Sequence, residues 1–280
     1  MKKIPVKNID DISEFVMINQ GNTAEIYLYG DTKILKLFRD GMPFSLINKE
    51  YEIGKAVNHK LKNTPKVFEM ISYESRYGII YERITGGDMI GAMLGKIYRI
   101  RKYSRTLASL HSEIHKNRID ILNDVKEALC ENIDSAAVLT DWEKENIKSY
   151  INKLPDKNNL CHFDFHPGNV MIRDNIFCVI DWMTACNGDA NADVARTLLL
   201  LRYGELKYGN HFTKAAVQIF KRYIGKIYFR EYKKITGITK YDTEQWILPL
   251  AAARLTEWIT DSEKQKLLKL VKEKLKYIKY

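Results

Sequence analysis

The sequence predicts an α+β protein in which a small antiparallel sheet is followed by a larger, mostly helical region. In residues 1–82, short runs of β-branched and aromatic residues alternate with turn signals, a pattern typical of hairpin-connected strands. From about residue 88 onward, apolar residues recur every three or four positions instead, as on one face of an α-helix. The 280 residues, 45% of them hydrophobic, are enough for a substantial core.

The first region is expected to contain five antiparallel strands and one helix. Gly30 and Asp31 lie between two alternating runs and predict a tight hairpin. After Pro43, the apolar residues Ile47 and Tyr51 follow helical spacing, which predicts a helix over 44–58. The expected strands are 15–19, 24–29, 32–38, 66–73 and 77–82.

The second region is expected to be mostly helical. Asp88 can cap a short helix, and Ile100, Tyr103 and Leu107 repeat at helical spacing in the long helix that follows. Residues 159–181 are expected to form strands and loops instead. The expected helices cover 96–115, 121–138 and 141–154, and after about residue 191 nearly all of the chain, including 243–259 around Pro249.

The polar residues most suggestive of chemistry lie between short apolar runs in residues 161–182. Asp164 lies five positions before Asn169, and Asp181 follows 17 positions after Asp164, at the end of a second short strand. Two adjacent strands can present Asn169 and Asp181 side by side, and their oxygens are the ligands that Mg²⁺ takes together with phosphate oxygens and water. Asp164 stands apart and can accept a hydroxyl proton. This set of residues indicates phosphoryl transfer, which depends on metal ligands, a base and a phosphate-binding cation.

The cation is expected on an early strand, paired with a carboxylate on a helix. Lys36 lies on the strand over 32–38, and Glu50 lies on the next helix. Glu52 is the alternative partner, but it falls on a different face of that helix. Lys36 and Glu50 are therefore the predicted pair.

With His162, Asp164, Asn169 and the tripeptide 180–182, the chain resembles the aminoglycoside phosphotransferase and choline kinase-like family of small-molecule kinases. That family shares the protein-kinase fold. The resemblance extends over nearly the whole chain in element order. It implies two lobes: a nucleotide-binding lobe over 1–83, a hinge over 84–87, and a catalytic and acceptor-binding lobe over 88–280.

The resemblance also implies a role for each of these residues. Asp164 would be the catalytic base, and Asn169 and Asp181 would bind Mg²⁺. Lys36 would contact the α- and β-phosphates while pairing with Glu50. Two backbone segments would complete the nucleotide site, a loop over the phosphates containing Gly21, Asn22 and Thr23, and a stretch meeting the purine containing Glu82, Arg83 and Ile84.

The resulting hypothesis is a kinase that transfers the γ-phosphoryl group of ATP or GTP to a hydroxyl of an aminoglycoside, an amino alcohol or a sugar-like alcohol. Phe163 stands where protein kinases have Arg, and a helix is expected soon after Asp181, so a phosphorylation-ordered activation loop has neither its Arg nor its length. This favours a small-molecule acceptor over a protein. The sequence contains no GxxxxGK[ST] motif, which disfavours the P-loop class of kinases. The alternatives are a catalytically silent nucleotide-binding scaffold with a kinase fold and a protein kinase.

Composition bears on location and partners. The net charge is +10, but the basic residues are scattered, and the densest run, 264–279, has the spacing of a solvated helix face rather than of a polyanion site. The four cysteines form no CxxC pair, which gives no signal for zinc or a disulfide framework. No apolar run reaches the roughly 20 residues of a membrane span. We therefore expect a cytoplasmic monomer or weak dimer that binds neither nucleic acid nor membranes.

Several side chains remain open between structure and function. His162 and His166 can be loop residues or ligands, and Asp193 can brace the catalytic loop or extend the metal site. The other open residues lie near the C-terminus, where they can belong to the core or surface, or to the acceptor pocket: Trp246, Arg254, Glu257, Trp258, Asp261 and Glu263.

Overall fold

The computed structural model of the protein describes residues 6–9, 11–12, 15–21, 23–206 and 209–277. The chain forms two compact units. The first consists of Met1–Ala92 with Gly168–Met183, and the second of Met93–Pro167 with Thr184–Tyr280. Gly168–Met183 thus groups with the N-terminal part of the chain. The assignment of nucleotide, hinge and acceptor roles to 1–83, 84–87 and 88–280 stays a prediction.

Six strands of the first unit form one sheet in the described part of the chain, in the order β1-β5-β6-β4-β3-β2. The strands are β1 (Val6–Asn8), β2 (Met17–Gln20), β3 (Ala24–Tyr29), β4 (Lys33–Phe38), β5 (Val67–Tyr73) and β6 (Arg76–Glu82). The prediction of five antiparallel strands is wrong by one, because β1 adds a sixth and runs parallel to β5. At three residues, β1 is too short to display a period-two pattern.

Helix α1 (Phe44–Lys60) packs on this sheet. Ile47 and Tyr51 on its buried face contact a core that includes Met70 and Ile79. Glu50 lies on the same face and is 5% exposed. The apolar face of α1 therefore carries one carboxylate into the unit, next to the sheet.

A second, three-stranded sheet in the first unit consists of β7 (Gly87–Asp88), β9 (Val170–Arg173) and β10 (Ile176–Val179), in the order β10-β9-β7. Asp174 and Asn175 join β9 to β10 with φ values of 50° and 63°, the conformation of a tight hairpin turn. Gly86 has φ 122°, and a Cβ there would lie 2.1 Å from the Ile172 carbonyl oxygen. Only glycine lets the backbone pass so close to β9.

The remaining helices, in chain order, are α2 (Met89–Gly95), α3 (Ile100–Ile114), α4 (Val125–Asp134), α5 (Asp141–Asn152), α6 (Ala190–Tyr203), α7 (His211–Thr236), α8 (Lys240–Glu244), α9 (Ile247–Ala253) and α10 (Asp261–Leu275). Short 3₁₀ turns occupy Ile97–Arg99, Pro167–Asn169 and Arg254–Thr256, and β8 (Asn159–Cys161) pairs with β11 (Cys186–Gly188). The Asp88 carboxylate accepts a hydrogen bond from Gly91 N at 2.6 Å, so the predicted cap of α2 is confirmed.

The core of the second unit is centred on α9, where Leu250, Ala251 and Ala252 are fully buried. The single helix predicted over 243–259 is wrong, because the chain there forms α8, α9 and a 3₁₀ turn. Pro249 lies in the first turn of α9, where its missing N–H has no helical partner to lose. Trp246 is fully buried, whereas Trp258 is 67% exposed.

No helix among the residues described has both the length and the apolar character needed to cross a bilayer.

Candidate active site

Lys36 on β4 is the centre of a charged cluster in the first unit. Its Nζ lies 2.6 Å from Glu50 Oε1 and 3.4 Å from Asp181 Oδ1. Glu50 is thus the partner of Lys36, as its helix face predicts, rather than Glu52. The hydroxyl of Tyr81 on β6 donates to the same Glu50 oxygen at 3.0 Å. Sequence reasoning missed Tyr81, which looks like an ordinary strand residue.

The protonation states of this cluster follow from its burial and charges. Burial alone would lower the pKa of Lys36, but the carboxylates of Glu50 and Asp181 outweigh it and raise that pKa above its usual value. Burial, together with Glu50, raises the pKa of Tyr81 well above normal. Near neutral pH the cluster therefore contains an ammonium and a neutral phenol, both directed at Glu50 Oε1. Within the described residues, the other oxygen, Oε2, is buried without a hydrogen-bond partner.

Asn169 and Asp181 lie at the same end of the β9–β10 hairpin. Asn169 directly precedes β9, and the Ile180 N–H donates to its carbonyl oxygen at 3.0 Å. Asp181 comes next, with φ 62°, a left-handed conformation that costs a non-glycine residue energy and often marks a functional position. The Trp182 indole donates to the Val179 carbonyl at 3.0 Å and closes this turn.

The chemistry of these two side chains fits a magnesium ion. Mg²⁺ binds hard oxygen donors, takes one or two protein carboxylates and keeps several waters. Asn169 offers an amide oxygen, and the Asp181 carboxylate is 43% exposed, which leaves room for water and phosphate ligands. Both residues predicted to bind the metal therefore suit it in type, and Asp181 also in accessibility.

The predicted phosphate loop is held by an arginine. The N–H of Gly21 donates to the Ala24 carbonyl at 2.8 Å, and the Gly21 carbonyl accepts from Arg39 Nε and Nη2 at 3.2 and 3.0 Å. The Arg39 N–H donates to the Thr23 carbonyl at 2.9 Å. Asn22 lies outside the described residues. Arg39, which the sequence analysis did not single out, thus braces a loop that has few glycines.

The predicted purine-binding stretch begins at the end of β6. The N–H of Glu82 donates to the Lys66 carbonyl and that of Arg83 to the Thr32 carbonyl, both at 2.8 Å. These two donors are therefore used inside the sheet. Ile84 follows the strand and is the third predicted residue.

The loop that contains Asp164 is anchored to α6 in the second unit. Asp193 accepts hydrogen bonds from the backbone N–H groups of His162 at 2.5 Å and Phe163 at 3.0 Å. Phe163 has φ 64°, so a strained residue immediately precedes Asp164 and is fixed by a buried carboxylate. Of the two alternatives for Asp193, the structure shows it bracing the loop.

Two further residues of α6 hold the same loop by its carbonyl groups. Arg196 Nε donates to the Phe163 carbonyl at 3.2 Å, and Thr197 Oγ1 donates to the Phe165 carbonyl at 2.9 Å. Arg196 and Thr197 come three and four positions after Asp193, which places all three on one helix face. Sequence reasoning missed both, although that spacing was visible.

Asp164 is half-buried beside two histidines. Its N–H donates to His162 Nδ1 at 3.2 Å, and its Oδ2 lies 3.7 Å from His166 Nε2. Burial alone would raise the pKa of Asp164, but the contact with His166 and the charge of Arg196 hold it well below its usual value. Asp164 is therefore ionised near neutral pH, as a proton acceptor must be.

A buried cluster of two histidines and two tyrosines surrounds Asp193. His115 Nε2 donates to Asp193 Oδ2 at 3.2 Å, and His111 Nε2 approaches the same oxygen at 3.0 Å without the linear geometry of a hydrogen bond. Tyr228 bonds His111 Nδ1 and Tyr232 bonds His115 Nδ1, each at 2.6 Å. The ligand atoms of the histidines and Asp193 lie within 4.8 Å of one another, but both Asp193 oxygens already accept backbone N–H groups.

An ion-pair network also reaches the loop. Arg196 Nη2 bonds Glu257 Oε1 at 2.5 Å, and Arg254 bonds both Glu257 and Glu263. Glu263 is 2% exposed, so its reading as a plain surface carboxylate is wrong. Glu257, occupied by two guanidinium groups, supports the loop through Arg196.

Comparison with known proteins bears on the fold and the family. The sequence profile of the phosphotransferase enzyme family (APH) matches residues 14–233. No curated protein sequence matches the chain. The solved structure of aminoglycoside phosphotransferase APH(4)-Ia superposes with a TM-score of 0.66 at 15% identity, covering 94% of this chain and 93% of that one.

Two other solved structures resemble the chain to a similar degree. The streptomycin–ATP–APH(2")-IIa ternary complex has a TM-score of 0.59 and 16% identity, with 94% and 92% of the two chains covered. Amicoumacin kinase hAmiN, in complex with AMP-PNP, Ca²⁺ and Ami, has a TM-score of 0.59 and 13% identity, with 97% and 90% covered. The predicted α+β, protein-kinase-like fold is confirmed.

Proposed function

The chain belongs to the phosphotransferase enzyme family, and from this premise we propose that it transfers the γ-phosphoryl group of ATP or GTP, with magnesium, to a hydroxyl of a small molecule. The position of Lys36 carries the proposal. Its ammonium lies 2.6 Å from Glu50 and 3.4 Å from Asp181. A lysine on a strand, paired with a helix carboxylate and next to a metal-binding acid, is the arrangement with which protein-kinase-like enzymes hold a nucleoside triphosphate.

Each residue has one task in the proposed reaction. Lys36 binds the α- and β-phosphate oxygens. Asn169 and Asp181 would hold Mg²⁺, which when bound neutralises the charge that develops on the phosphoryl oxygens. Asp164 orients the acceptor hydroxyl and takes its proton as the oxygen attacks phosphorus. His166, 3.7 Å from Asp164, lies close enough to help to orient that carboxylate.

Residues 182–189 support a small acceptor over a protein. In this stretch β11 pairs with β8, and Thr184 Oγ1 donates to the His162 carbonyl at 2.9 Å. Helix α6 begins directly afterwards at Ala190, so a long activation segment has no place there. Some solved neighbours were crystallised with hygromycin B, streptomycin or Ami, which makes aminoglycosides and amicoumacin-like alcohols the first candidates.

The purine would be read by backbone atoms after β6. The N–H groups of Glu82 and Arg83 already donate to the Lys66 and Thr32 carbonyls, so of the three predicted residues we assign the purine contact to the Ile84 backbone. Neighbours bind ATP, ADP and AMP-PNP, which favours ATP as the donor. Comparing turnover with ATP and GTP tests this preference.

The test of the function is a panel of hydroxyl acceptors, including aminoglycosides, choline and sugars, screened for nucleoside diphosphate release with magnesium. Asp164→Ala is expected to lower turnover by about 10²–10⁴-fold, the usual contribution of a general base, without weakening nucleotide binding. The matched control is Asp120→Ala, which removes an exposed carboxylate and should leave turnover unchanged.

Three results would contradict the proposal. One is an Asp164→Ala variant with wild-type turnover. Another is the appearance of labelled phosphate on proteins rather than on small molecules, as a protein kinase would give. The third is nucleotide binding without transfer to any acceptor in the panel, as a silent scaffold would give.

A further inference from the structure

We propose that Tyr228 and Tyr232 on α7 are positioning residues that fix the geometry of the Asp164 loop through His111, His115 and Asp193. The proposal rests on the proposed function, because it names residues that set the position of the base. It assigns a task to α7, a helix in which the sequence offered no candidate residue.

Two neighbouring pairs of side chains connect α7 to Asp193. Tyr228 meets His111 and Tyr232 meets His115, each pair joined by a 2.6 Å contact between the phenol oxygen and Nδ1. Both histidines direct Nε2 towards the same Asp193 oxygen, at 3.0 and 3.2 Å. The tyrosines are four residues apart on α7 and the histidines four residues apart along α3, so each pair lies one helical turn above the other.

Burial determines which of these side chains are charged. Burial lowers the pKa of His111 to about 3 and raises the pKa values of Tyr228 and Tyr232 above normal. Burial would also raise the pKa of Asp193, but its contacts with the histidines hold it well below the usual value. The cluster therefore holds one carboxylate among neutral phenols and a neutral His111.

These charges determine where the protons are. A carboxylate can only accept, so the histidine nitrogen that faces Asp193 must carry its hydrogen. The neutral His111 imidazole has one N–H, so its Nδ1 must accept, and the Tyr228 hydroxyl is the donor. Because Tyr232 meets His115 at the same 2.6 Å distance, we assign it the same direction, from the tyrosine hydroxyl to Nδ1 and from the Nε2 hydrogen towards Asp193. Each tyrosine thereby satisfies Nδ1 in the tautomer that Asp193 requires.

Asp193 connects these side chains to the loop that contains Asp164. Its oxygens receive the N–H groups of His162 and Phe163, and Phe163 is held at φ 64° directly before Asp164. His111 also stacks on Phe165, on the other side of Asp164, with ring centroids 4.1 Å apart and planes 20° apart. The loop is therefore held from both sides of the base by groups that depend on the tyrosines.

Replacing a tyrosine by phenylalanine removes one hydroxyl and leaves Nδ1 buried without a donor. The ring loses the hydrogen bond that fixes its position, and its buried Nδ1 lone pair is left unsatisfied. The imidazole can then turn or shift, and Asp193 and the strained loop move with it. The expected consequence is a misplaced base in a protein that still binds nucleotide.

The experiment uses the full chain with Tyr228→Phe, Tyr232→Phe and the double variant, and it measures magnesium-dependent ATP consumption with the acceptor panel. A buried hydrogen bond contributes on the order of 1 kcal/mol, so each single variant should lower kcat roughly 5- to 10-fold and leave KM for ATP unchanged. Tyr223→Phe, which alters an exposed tyrosine on the same helix, is the control and should retain wild-type kcat.

A second readout does not depend on activity. Histidine ¹H–¹⁵N spectra of the wild type should report the Nε2–H tautomer for His111 and His115, and each Tyr→Phe variant should change the signal of its own partner alone. Unchanged kcat in both variants, or a fall in kcat matched by loss of folded protein, would overturn the positioning role. So would a Nδ1–H tautomer in the wild type, or a stoichiometric metal ion lost in His115→Ala. Absence of turnover in the wild type would instead remove the proposed function, and the positioning role with it.

Discussion

The two polar centres of the molecule are built from different interactions. In the first unit, Lys36 is held by formal charges, Glu50 and Asp181, and the Asp181 side chain is 43% exposed. In the second unit, Asp193 is fully buried and surrounded by backbone N–H groups, neutral His111 and two neutral tyrosines. One centre is a set of formal charges that reaches solvent at Asp181, and the other is a buried hydrogen-bond network.

The difference suits two tasks. Charged contacts that are partly exposed to water contribute little to stability, so in the proposed reaction Lys36 exchanges its contact with Asp181 for phosphate oxygens at low cost. A buried carboxylate that accepts two backbone N–H groups is costly to disturb, so Asp193 keeps the Asp164 loop in one conformation. In this proposal the contacts of Lys36 change when the nucleotide binds, whereas the contacts of Asp193 stay the same. We call the first the exchangeable centre and the second the fixed centre.

The largest expected effect comes from breaking the fixed centre. Asp193→Asn keeps the size of the side chain but turns an oxygen towards which N–H groups point into an amide donor. Leaving buried donors unsatisfied costs about 1–3 kcal/mol each, so we expect destabilisation of at least about 3 kcal/mol and a fall in turnover of more than about 100-fold. Thermal unfolding and ATP consumption measure both. Asp261→Asn, an exposed residue in the first turn of α10, is the control, and equal stability of the two variants would refute the fixed centre.

The exchangeable centre should respond differently. Glu50→Gln removes the charge that holds Lys36 while preserving shape, so we expect kcat/KM for ATP to fall about tenfold, as for loss of a charged hydrogen bond, with little change in melting temperature. Glu52→Gln, two positions along α1, is the matched control. A Glu50→Gln variant that unfolds, or that keeps full activity, would show that the pair is structural rather than functional.

The stability of the protein should decrease in acid because of His111, which belongs to the fixed centre. The pKa of His111 is lowered to about 3 by burial, below the roughly 6.5 of an unfolded histidine, so only the unfolded state gains a proton as pH falls through 6.5. Between pH 7 and pH 5 the protein should therefore lose about 2 kcal/mol of stability from this group. Denaturant unfolding at both pH values measures it, and His111→Gln should flatten the dependence. A stability that rises on acidification in this window contradicts the neutral, buried His111.

The smallest effect is expected at Arg39, the exposed arginine that braces the predicted phosphate loop. Arg39 is 42% exposed and pairs with Glu25 at 3.3 Å, so Arg39→Ala should cost less than about 1 kcal/mol of stability. Because Arg39 also holds the Gly21 carbonyl, KM for ATP should rise a few-fold while kcat stays the same. Steady-state kinetics distinguish this from a change in kcat, which would count against a role confined to nucleotide binding.

Sequence patterns predicted most of the fold because they report burial. Alternation on β3 and β4 and helical spacing on α1 gave the correct elements, and the strand and helix together led to the Lys36–Glu50 pair. The sequence did not predict β1, because a strand of three residues is too short to show the period-two alternation of a β-strand. The breaks in the chain before and after α9 were not predicted either. Helix α9 is apolar on all sides, so the spacing of its apolar residues does not show whether the segment forms one long helix or several short ones.

Parts of the candidate site lay beyond such patterns. Tyr228 and Tyr232 each meet a histidine 117 positions earlier in the chain, and helical spacing marks them only as buried. The left-handed backbone at Phe163 and Asp181 was not predicted either. Phe gives no signal for it, and Asp, although enriched in this conformation, adopts it too seldom to mark one position. Arg196 and Thr197 could have been predicted from the sequence, because they follow Asp193 at the spacing of one helix face.

The most direct test compares Lys36 with Asp164, the base on the loop that Asp193 holds. It combines calorimetric titration of a non-hydrolysable ATP analogue with magnesium and a measurement of turnover. Lys36→Met should weaken nucleotide binding about 10- to 100-fold, as expected for a lost charged contact, whereas Asp164→Asn should bind as the wild type does while losing turnover. The opposite pattern, with Asp164→Asn failing to bind and Lys36→Met binding normally, would contradict the division of labour between a phosphate-holding lysine and a proton-accepting aspartate.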